Sequence, residues 1–132
     1  MNEKSPGGST FPYYYKGGEL HCLKYGNFSA NEEGLIAVME AEEDFITKHN
    51  QRLNIWVDFY ETKLTDAVVR EFFNSVTRLN AHIRKLAIVG CSHRDRKRLN
   101  RVGRLTGNKI PIPVRYFSDP EDAKTWLVSE SL

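Results

Sequence analysis

The chain has 132 residues, of which 40% are hydrophobic and 27% are charged, and its formal net charge is +2. This length suits one domain with a buried core, and the composition is that of a globular protein rather than a disordered or fibrous one. The absence of a long apolar run, of a signal-like apolar core at the start and of a cysteine framework favours a cytoplasmic protein without a metal or cofactor.

The first part of the sequence predicts a short tail and a hairpin. Residues 1–10 are predicted to form a flexible leader, and residues 11–132 a single domain. Two strand-like segments follow, at 11–16 and 19–25. Gly17-Gly18 between them suits a two-residue turn, because glycine tolerates positive φ.

A long helix and a buried strand come next. Apolar residues at helical spacing predict a helix over about 32–49, with Asn31 or Ser29 as its N-cap. Its predicted outer face is acidic and contains Glu32, Glu33, Glu40, Glu42, Glu43 and Asp44. A mostly apolar strand follows at 53–59, and a second helix is predicted to begin at Asp66.

The second half repeats this alternation. Residues 85–90 form a continuous apolar run that is typical of a central strand, and a basic helix is expected from 94 to about 104. A short strand at 114–117 leads into a last helix, with Ser118 or Asp119 as its N-cap. Strands alternating with helices predict an α/β fold, with a mixed sheet, an N-terminal hairpin, parallel βα units and about four helices.

Three stretches of this pattern carry a family resemblance. They are LNIWVDF at 53–59, KLAIVG at 85–90 and VRYFSDPEDAKTWL at 114–127. With the hairpin they span about 18–128, and the chain resembles the STAS/SpoIIAA-like superfamily. The closest similarity is to its SpoIIAA-like branch, which is grouped with lipid-carrier-like domains of the STAS/SEC14 type. The resemblance implies the fold, but such a fold does not fix a function.

The resemblance also directs attention to a regulatory loop. Family members that antagonise anti-sigma factors carry a phosphorylatable Ser in an Asp-Ser motif where the helix after the central strand begins. The corresponding loop, residues 60–66, has no such pair, and its hydroxyls are Thr62 and Thr65, close to the strand-end Asp58. Capping of the second helix by Thr65 is favoured over phosphorylation, although a phosphate there would gain from the helix dipole.

The basic helix is the most unusual feature of the sequence. Its cations are Arg94, Arg96, Lys97, Arg98, Arg101 and Arg104, with Lys109 beyond it and Asp95 as the only acid. Of these, Arg94, Arg98, Arg101 and Arg104 are the candidate contacts for an anion or a partner, because the helix begins at the carboxyl end of a central strand. The alternative is a solvated face whose positive charges balance the acids of the first helix, within the molecule or in a neighbouring one. Nucleic acid is disfavoured, since no aromatic residue for base stacking lies between Arg84 and Tyr116.

Charge is unevenly distributed along the chain. Residues 1–66 hold 6 Lys/Arg against 11 Asp/Glu, whereas residues 67–132 hold 13 against 6. This asymmetry is compatible with recognition of a charged protein partner or with a homodimer in which opposite charges meet.

An enzyme and a ligand carrier are the two alternatives to a binding module. Cys91 and His93, two residues apart at a strand end, suggest a thiolate–imidazole pair, but Cys91 extends an apolar run and no catalytic motif accompanies it. A carrier of a small hydrophobic ligand would need a cavity between the sheet and the helices. The residues predicted to line such a cavity are Met39, Phe45, Phe72 and Phe73, which are equally able to fill a core.

The sequence therefore favours a non-catalytic regulatory module that binds a protein, without the usual phosphoserine switch. Its predicted contact surface combines the loop at 60–66 with the basic helix. A lipid-like ligand carrier is the alternative, and an enzyme is the least favoured.

Overall fold

The computed structural model describes residues 3–107 and 110–130. Within these ranges the chain forms two sheets and four α-helices. The strands are β1 (Glu3–Lys4), β2 (Thr10–Phe11), β3 (Tyr13–Tyr15), β4 (Gly18–Lys24), β5 (Leu53–Asp58), β6 (Ile83–Val89) and β7 (Val114–Phe117). The helices are α1 (Glu32–His49), α2 (Asp66–Arg78), α3 (His93–Thr106) and α4 (Pro120–Val128).

The larger sheet has the strand order β3-β4-β5-β6-β7. β3 is antiparallel to β4, and the other neighbours are parallel. Each parallel crossover moves one strand further in the same direction, and right-handed crossovers then place α1, α2 and α3 on one face. α4 packs on the opposite face, against β4, β5, β6 and β7. The predicted α/β fold class is confirmed.

The central strands are apolar on both sides because both faces of the sheet are covered. On β5, Ile55 and Val57 belong to the core beneath α1–α3, whereas Trp56 belongs to the smaller core beneath α4. On β6, Leu86 and Ala87 divide between the two cores in the same way. This arrangement explains why 53–59 and 85–90 read as continuous apolar runs rather than as alternating ones.

Most predicted boundaries hold, but one strand is divided and one turn is shifted. The predicted strand at 11–16 is interrupted at Pro12, so that Phe11 belongs to the small sheet and Tyr13–Tyr15 to the large one. Asn31 caps α1, and Asp119 rather than Ser118 caps α4, with Pro120 in the first turn of the helix. The hairpin turn between β3 and β4 is Lys16-Gly17, with φ values of 48° and 82°, and Gly18 pairs with Tyr15. The turn lies one residue earlier than predicted because Lys16 also adopts positive φ.

Residues 3–10 differ from the predicted flexible leader. β1 and β2 pair with each other, and Ser5 and Ser9 are buried. The Ser5 hydroxyl donates to Glu42 Oε2 at 2.7 Å, and the Gly7 N–H donates to the same oxygen at 3.0 Å. A Gly- and Ser-rich segment is thus packed against α1 because it supplies hydrogen-bond donors to a buried carboxylate. Residues 1 and 2 lie outside the described residues.

Glu42 also corrects the prediction for α1. It was expected on the acidic outer face, but it is fully buried and lies 3.0 Å from Nε2 of the buried His21 on β4. Buried charged groups require partners. The N-terminal segment and His21 together provide them.

Candidate interaction surface at the carboxyl edge of the sheet

One edge of the sheet gathers most of the predicted site residues. The parallel strands β4–β7 end at this edge, and the helix that follows each strand begins there. Open α/β sheets usually bind their ligands outside the carboxyl ends of the strands. The candidate site therefore consists of the loops and helix starts along this edge.

Thr62 joins two neighbouring loops. Its hydroxyl donates to the Tyr25 carbonyl at 2.7 Å and accepts the Phe28 N–H at 3.1 Å. The Lys63 N–H also donates to the Ser29 carbonyl at 2.7 Å. The loop after β5 is thereby held against the loop after β4. Its hydroxyl already has two partners, so Thr62 has a structural role.

Thr65 caps α2, as the sequence predicts. Its hydroxyl accepts the Val68 N–H at 3.2 Å and donates to Glu32 Oε1 on α1 at 2.5 Å. A phosphate on this hydroxyl would lose that donation and lie beside the Glu32 carboxylate. Phosphorylation next to an acid is disfavoured by like-charge repulsion.

Asp58 shapes the turn after β5. Its Oδ1 accepts the Tyr60 N–H at 2.9 Å. Gly90 at the end of β6 has φ +84°, and a Cβ there would lie 2.7 Å from Asp58 Oδ1. Glycine at 90 therefore allows the β5 and β6 ends to approach closely.

We predict that Thr65→Glu lowers the free energy of unfolding by more than the roughly 0.5–2 kcal/mol expected for Thr65→Ala. Both variants lose the cap, and only the first places a second carboxylate beside Glu32. Urea denaturation of both variants, alone and combined with Glu32→Gln, measures the difference. Equal destabilisation in the two backgrounds would show that the Glu32 carboxylate does not oppose a negative charge at 65.

Arg98 and Arg101 are fixed to the start of α2. Arg98 Nη1 donates to the Leu64 carbonyl at 2.9 Å, and its Nε lies 3.7 Å from Asp66 Oδ1. Arg101 Nη2 donates to the same Asp66 oxygen at 2.9 Å. The acid that pairs with these arginines is thus on α2. It is not on α1, where the alternative of a solvated basic face places the acidic partners.

The other cations of α3 face solvent. Arg94, Lys97 and Arg104 are exposed and form no ion pair with any residue in the described ranges. They border an open depression of about 560 Å³, which is lined by Arg94, Lys97, Arg98, Asn100, Arg101 and Arg104. Arg96 instead stacks on the Tyr116 ring at 5.3 Å, and Lys109 lies outside the described residues. We call Arg94, Lys97 and Arg104 the free cations of α3.

The helix that carries these cations is well anchored. Ser92 and Asp95 form a reciprocal capping box at its start, and Leu99 and Val102 are buried beneath it. Because Arg98 and Arg101 are tied to α2, the free cations project from a fixed support. A charged surface on a rigid helix loses little conformational entropy when it meets a partner.

The SpoIIAA-like family model matches residues 28–128, from the loop before α1 to the last residue of α4. The chain belongs to the SpoIIAA-like family. This match confirms the resemblance based on β5, β6 and the β7–α4 unit. No curated protein and no solved structure matches the chain. Family membership supports a STAS-type regulatory or interaction domain, a type that commonly binds protein partners and is generally non-enzymatic.

In this SpoIIAA-like domain the candidate thiolate–imidazole pair is not assembled. Cys91 is half-buried, and burial, followed by the charge of Asp95, raises the pKa of its thiol to about 12. His93 is exposed at the first position of α3, and no hydrogen bond joins it to Cys91 among the described contacts. A thiol with such a pKa is protonated near neutrality and is a poor nucleophile.

We expect both cysteines to resist alkylation in the folded protein. Burial also raises the pKa of the Cys22 thiol to about 12. Because only the thiolate reacts, iodoacetamide at pH 8 should modify each cysteine at least about tenfold more slowly than in urea, and faster as the pH rises. Mass spectrometry of the time course measures both sites. Rapid modification of Cys91 alone in the folded protein would restore it as a candidate nucleophile.

The residues predicted to line a ligand cavity are packed in the core beneath α1–α3. Met39 and Phe72 are fully buried, and the Phe72 ring centroid lies 5.1 Å from Phe59 and 5.9 Å from Phe73. Phe45 is partly buried and contacts Phe11, with ring centroids 5.0 Å apart. These contacts are those of side chains that fill a layer.

No described helix combines the length and apolarity needed to cross a bilayer. No group of three or more His, Cys, Asp or Glu in the same ranges could hold a metal ion.

Proposed function

We propose that this SpoIIAA-like protein is a non-catalytic regulatory module that binds an acidic surface of a protein partner. The contact surface consists of the free cations of α3 and the neighbouring loop at 60–66. The observation that carries the proposal is the division of the α3 cations: Arg98 and Arg101 hold the helix in place, while Arg94, Lys97 and Arg104 are left exposed.

The chemistry of this surface favours a protein over a nucleic acid. α3 contains no Phe, Tyr or Trp, so it lacks the large aromatic rings on which successive bases usually stack. Tyr60, which is 58% exposed, lies in the adjacent loop and provides an aromatic contact of the kind enriched in protein interfaces. Exposed cations steer an acidic partner and raise the rate of association.

Regulation in this proposal does not rest on phosphorylation of the loop. Thr62 and Thr65 are both committed to hydrogen bonds that hold the loops and α2 together. A phosphate on either hydroxyl would break the contact surface that it is supposed to control. The module is therefore regulated by the presence of its partner rather than by a phosphothreonine.

Native mass spectrometry of the protein isolated from its own host, without denaturing washes, tests this function. We expect a complex with a second polypeptide that dissociates as the salt concentration is raised, because exposed charges are screened. The same spectrum reports a homodimer and any added phosphate by mass. A bound apolar small molecule without a second polypeptide would overturn the proposal and make the protein a carrier.

A further inference from the structure

A second depression lies on the other face of the sheet. On the side that carries α4, the carboxyl ends of β4 and β5 border two adjoining depressions of about 220 and 290 Å³. Four residues line both of them: Cys22, Lys24, Trp56 and Lys124. We call this feature the β4–β5 trough. It is separated by the sheet from the free cations of α3.

Strand register explains how the trough is built. Cys22 lies opposite Trp56, and Lys24 lies opposite Asp58, on adjacent parallel strands. Side chains two residues apart on a strand point to the same face. Cys22 and Trp56 therefore form an apolar floor. Two residues further along each strand, nearer the edge of the sheet, Lys24 and Asp58 carry opposite charges but form no ion pair with each other.

Lys124 on α4 provides a fixed cation at this floor. Its Nζ lies 5.2 Å from the Trp56 ring centroid and 5.5 Å from that of Tyr13. It donates to Glu121 Oε1 at 3.3 Å and to the Tyr13 hydroxyl at 3.4 Å. An ammonium group has three donors, so one remains for a ligand. Its side chain is only 15% exposed, which strengthens its attraction for an anion.

Lys24 provides the second cation. It is exposed, and its Nζ donates to the Gly8 carbonyl at 3.4 Å. It makes no ion pair with any residue in the described ranges. Two ammonium groups thus border one trough: Lys24 has no acidic partner among the described residues, whereas Lys124 is ion-paired with Glu121 and keeps one N–H donor for a ligand.

Aromatic side chains define the shape of the ligand. Trp56 and Tyr13 have ring centroids 5.8 Å apart, and the exposed Tyr60 lines the edge of the second depression. Trp56 is only 9% exposed, so the accessible flat surface is that of Tyr60 at the rim, and it favours a planar ring that stacks on it. Asp58, also at this edge, lowers the net positive charge of the trough, which favours a monoanion over a dianion such as a phosphate monoester.

We propose that the β4–β5 trough binds a small planar aromatic carboxylate. Its carboxylate lies between Lys24 and Lys124, and its ring stacks on Tyr60 and contacts the exposed edge of Trp56. The site shares Tyr60 with the proposed protein contact, but its two cations, Lys24 and Lys124, lie on the face of the sheet that carries α4 and do not belong to α3.

Titration with benzoate, followed by the two indole N–H signals in a ¹H–¹⁵N spectrum, tests the site. We expect a saturable shift of the Trp56 signal with millimolar affinity, and no shift of Trp126, which packs further along the sheet beside Lys85. Benzamide, which has the ring without the charge, should bind at least about tenfold more weakly. No saturable shift up to about 20 mM benzoate, or equal binding of benzamide, would overturn the proposal.

A matched pair of variants isolates the role of the cation. Lys24→Gln removes an exposed charge from the trough, and Lys48→Gln removes one from α1. Lys24→Gln should weaken benzoate binding at least about tenfold, whereas Lys48→Gln should leave it unchanged. Unchanged affinity in Lys24→Gln would also overturn the proposal, and neither result depends on the partner bound by α3.

Discussion

Replacement of Glu42 by alanine is expected to lower the free energy of unfolding by about 3–5 kcal/mol. Its carboxylate is fully buried and is held by the Ser5 hydroxyl, the Gly7 N–H and His21 Nε2, at 2.7, 3.0 and 3.0 Å. Removing one member of a buried hydrogen-bonded cluster leaves the other members unpaired away from water. The loss should also release residues 3–10 from α1.

Urea denaturation measures this effect, and hydrogen exchange of residues 3–10 reports the release. Glu40→Ala is the matched control, because Glu40 is exposed on the same helix and its loss should change stability by no more than about 0.5 kcal/mol. Ser5→Ala should cost about 1–3 kcal/mol, since it removes one of the three partners. Similar stabilities of Glu42→Ala and Glu40→Ala would contradict the buried cluster.

Phe72→Ala is expected to cost about 3–5 kcal/mol, because the core beneath α1–α3 is filled. The Phe72 side chain is buried and packs against Phe59 and Phe73. Truncation of a close-packed aromatic residue removes its transfer free energy and leaves a cavity that the surroundings fill only in part. The same substitution would be far less costly if Phe72 lined an existing cavity.

This second substitution therefore bears on the ligand-carrier alternative. Tyr14→Ala is the control, since Tyr14 is 66% exposed and its loss should be nearly neutral. Thermal and urea denaturation of both variants provide the comparison. A cost below about 1 kcal/mol for Phe72→Ala would indicate a hollow interior and favour a carrier.

Local features of this fold could be predicted from the sequence because they depend on local spacing. Apolar periodicity predicted α1 with its observed bounds, and the position of Thr65 before an apolar helix predicted its role as a cap. The continuous apolar runs predicted central strands with both faces covered. The strand–helix alternation then gave the fold class.

Tertiary contacts could not be predicted in this way. Among the acids predicted on the outer face of α1, Glu33, Glu40 and Asp44 are exposed, and only the contacts of Glu42 with His21 and residues 3–10 explain its burial. Asp66 forms ion pairs with Arg98 and Arg101, and Arg101 lies 35 residues further along the sequence. The spacing of residues along α3 alone does not show these pairs. Lys85 precedes an apolar run, and nothing in that run indicates the position of its ammonium group. The side chain is buried, and it donates to the carbonyls of Trp126 and Ser129 at the end of α4.

The same limit applies to the candidate site. The sequence indicated the loop at 60–66 and the cations of α3, but it could not separate the cations that anchor the helix from those left free. It also gave no sign of the β4–β5 trough, because Cys22, Trp56 and Lys124 come from three separate elements. Register and packing bring them together.

The affinity of the copurifying protein for an α3 charge-reversal variant is the most direct test of the proposed function. The variant carries Arg94→Glu, Lys97→Glu and Arg104→Glu, and its control carries Lys16→Glu, Lys48→Glu and Arg52→Glu, which reverse three exposed cations elsewhere. Both have the same net charge, and circular dichroism checks their folding. We expect at least about a hundredfold loss of affinity for the α3 variant and a small change for the control. Equal affinities for the two variants would contradict it.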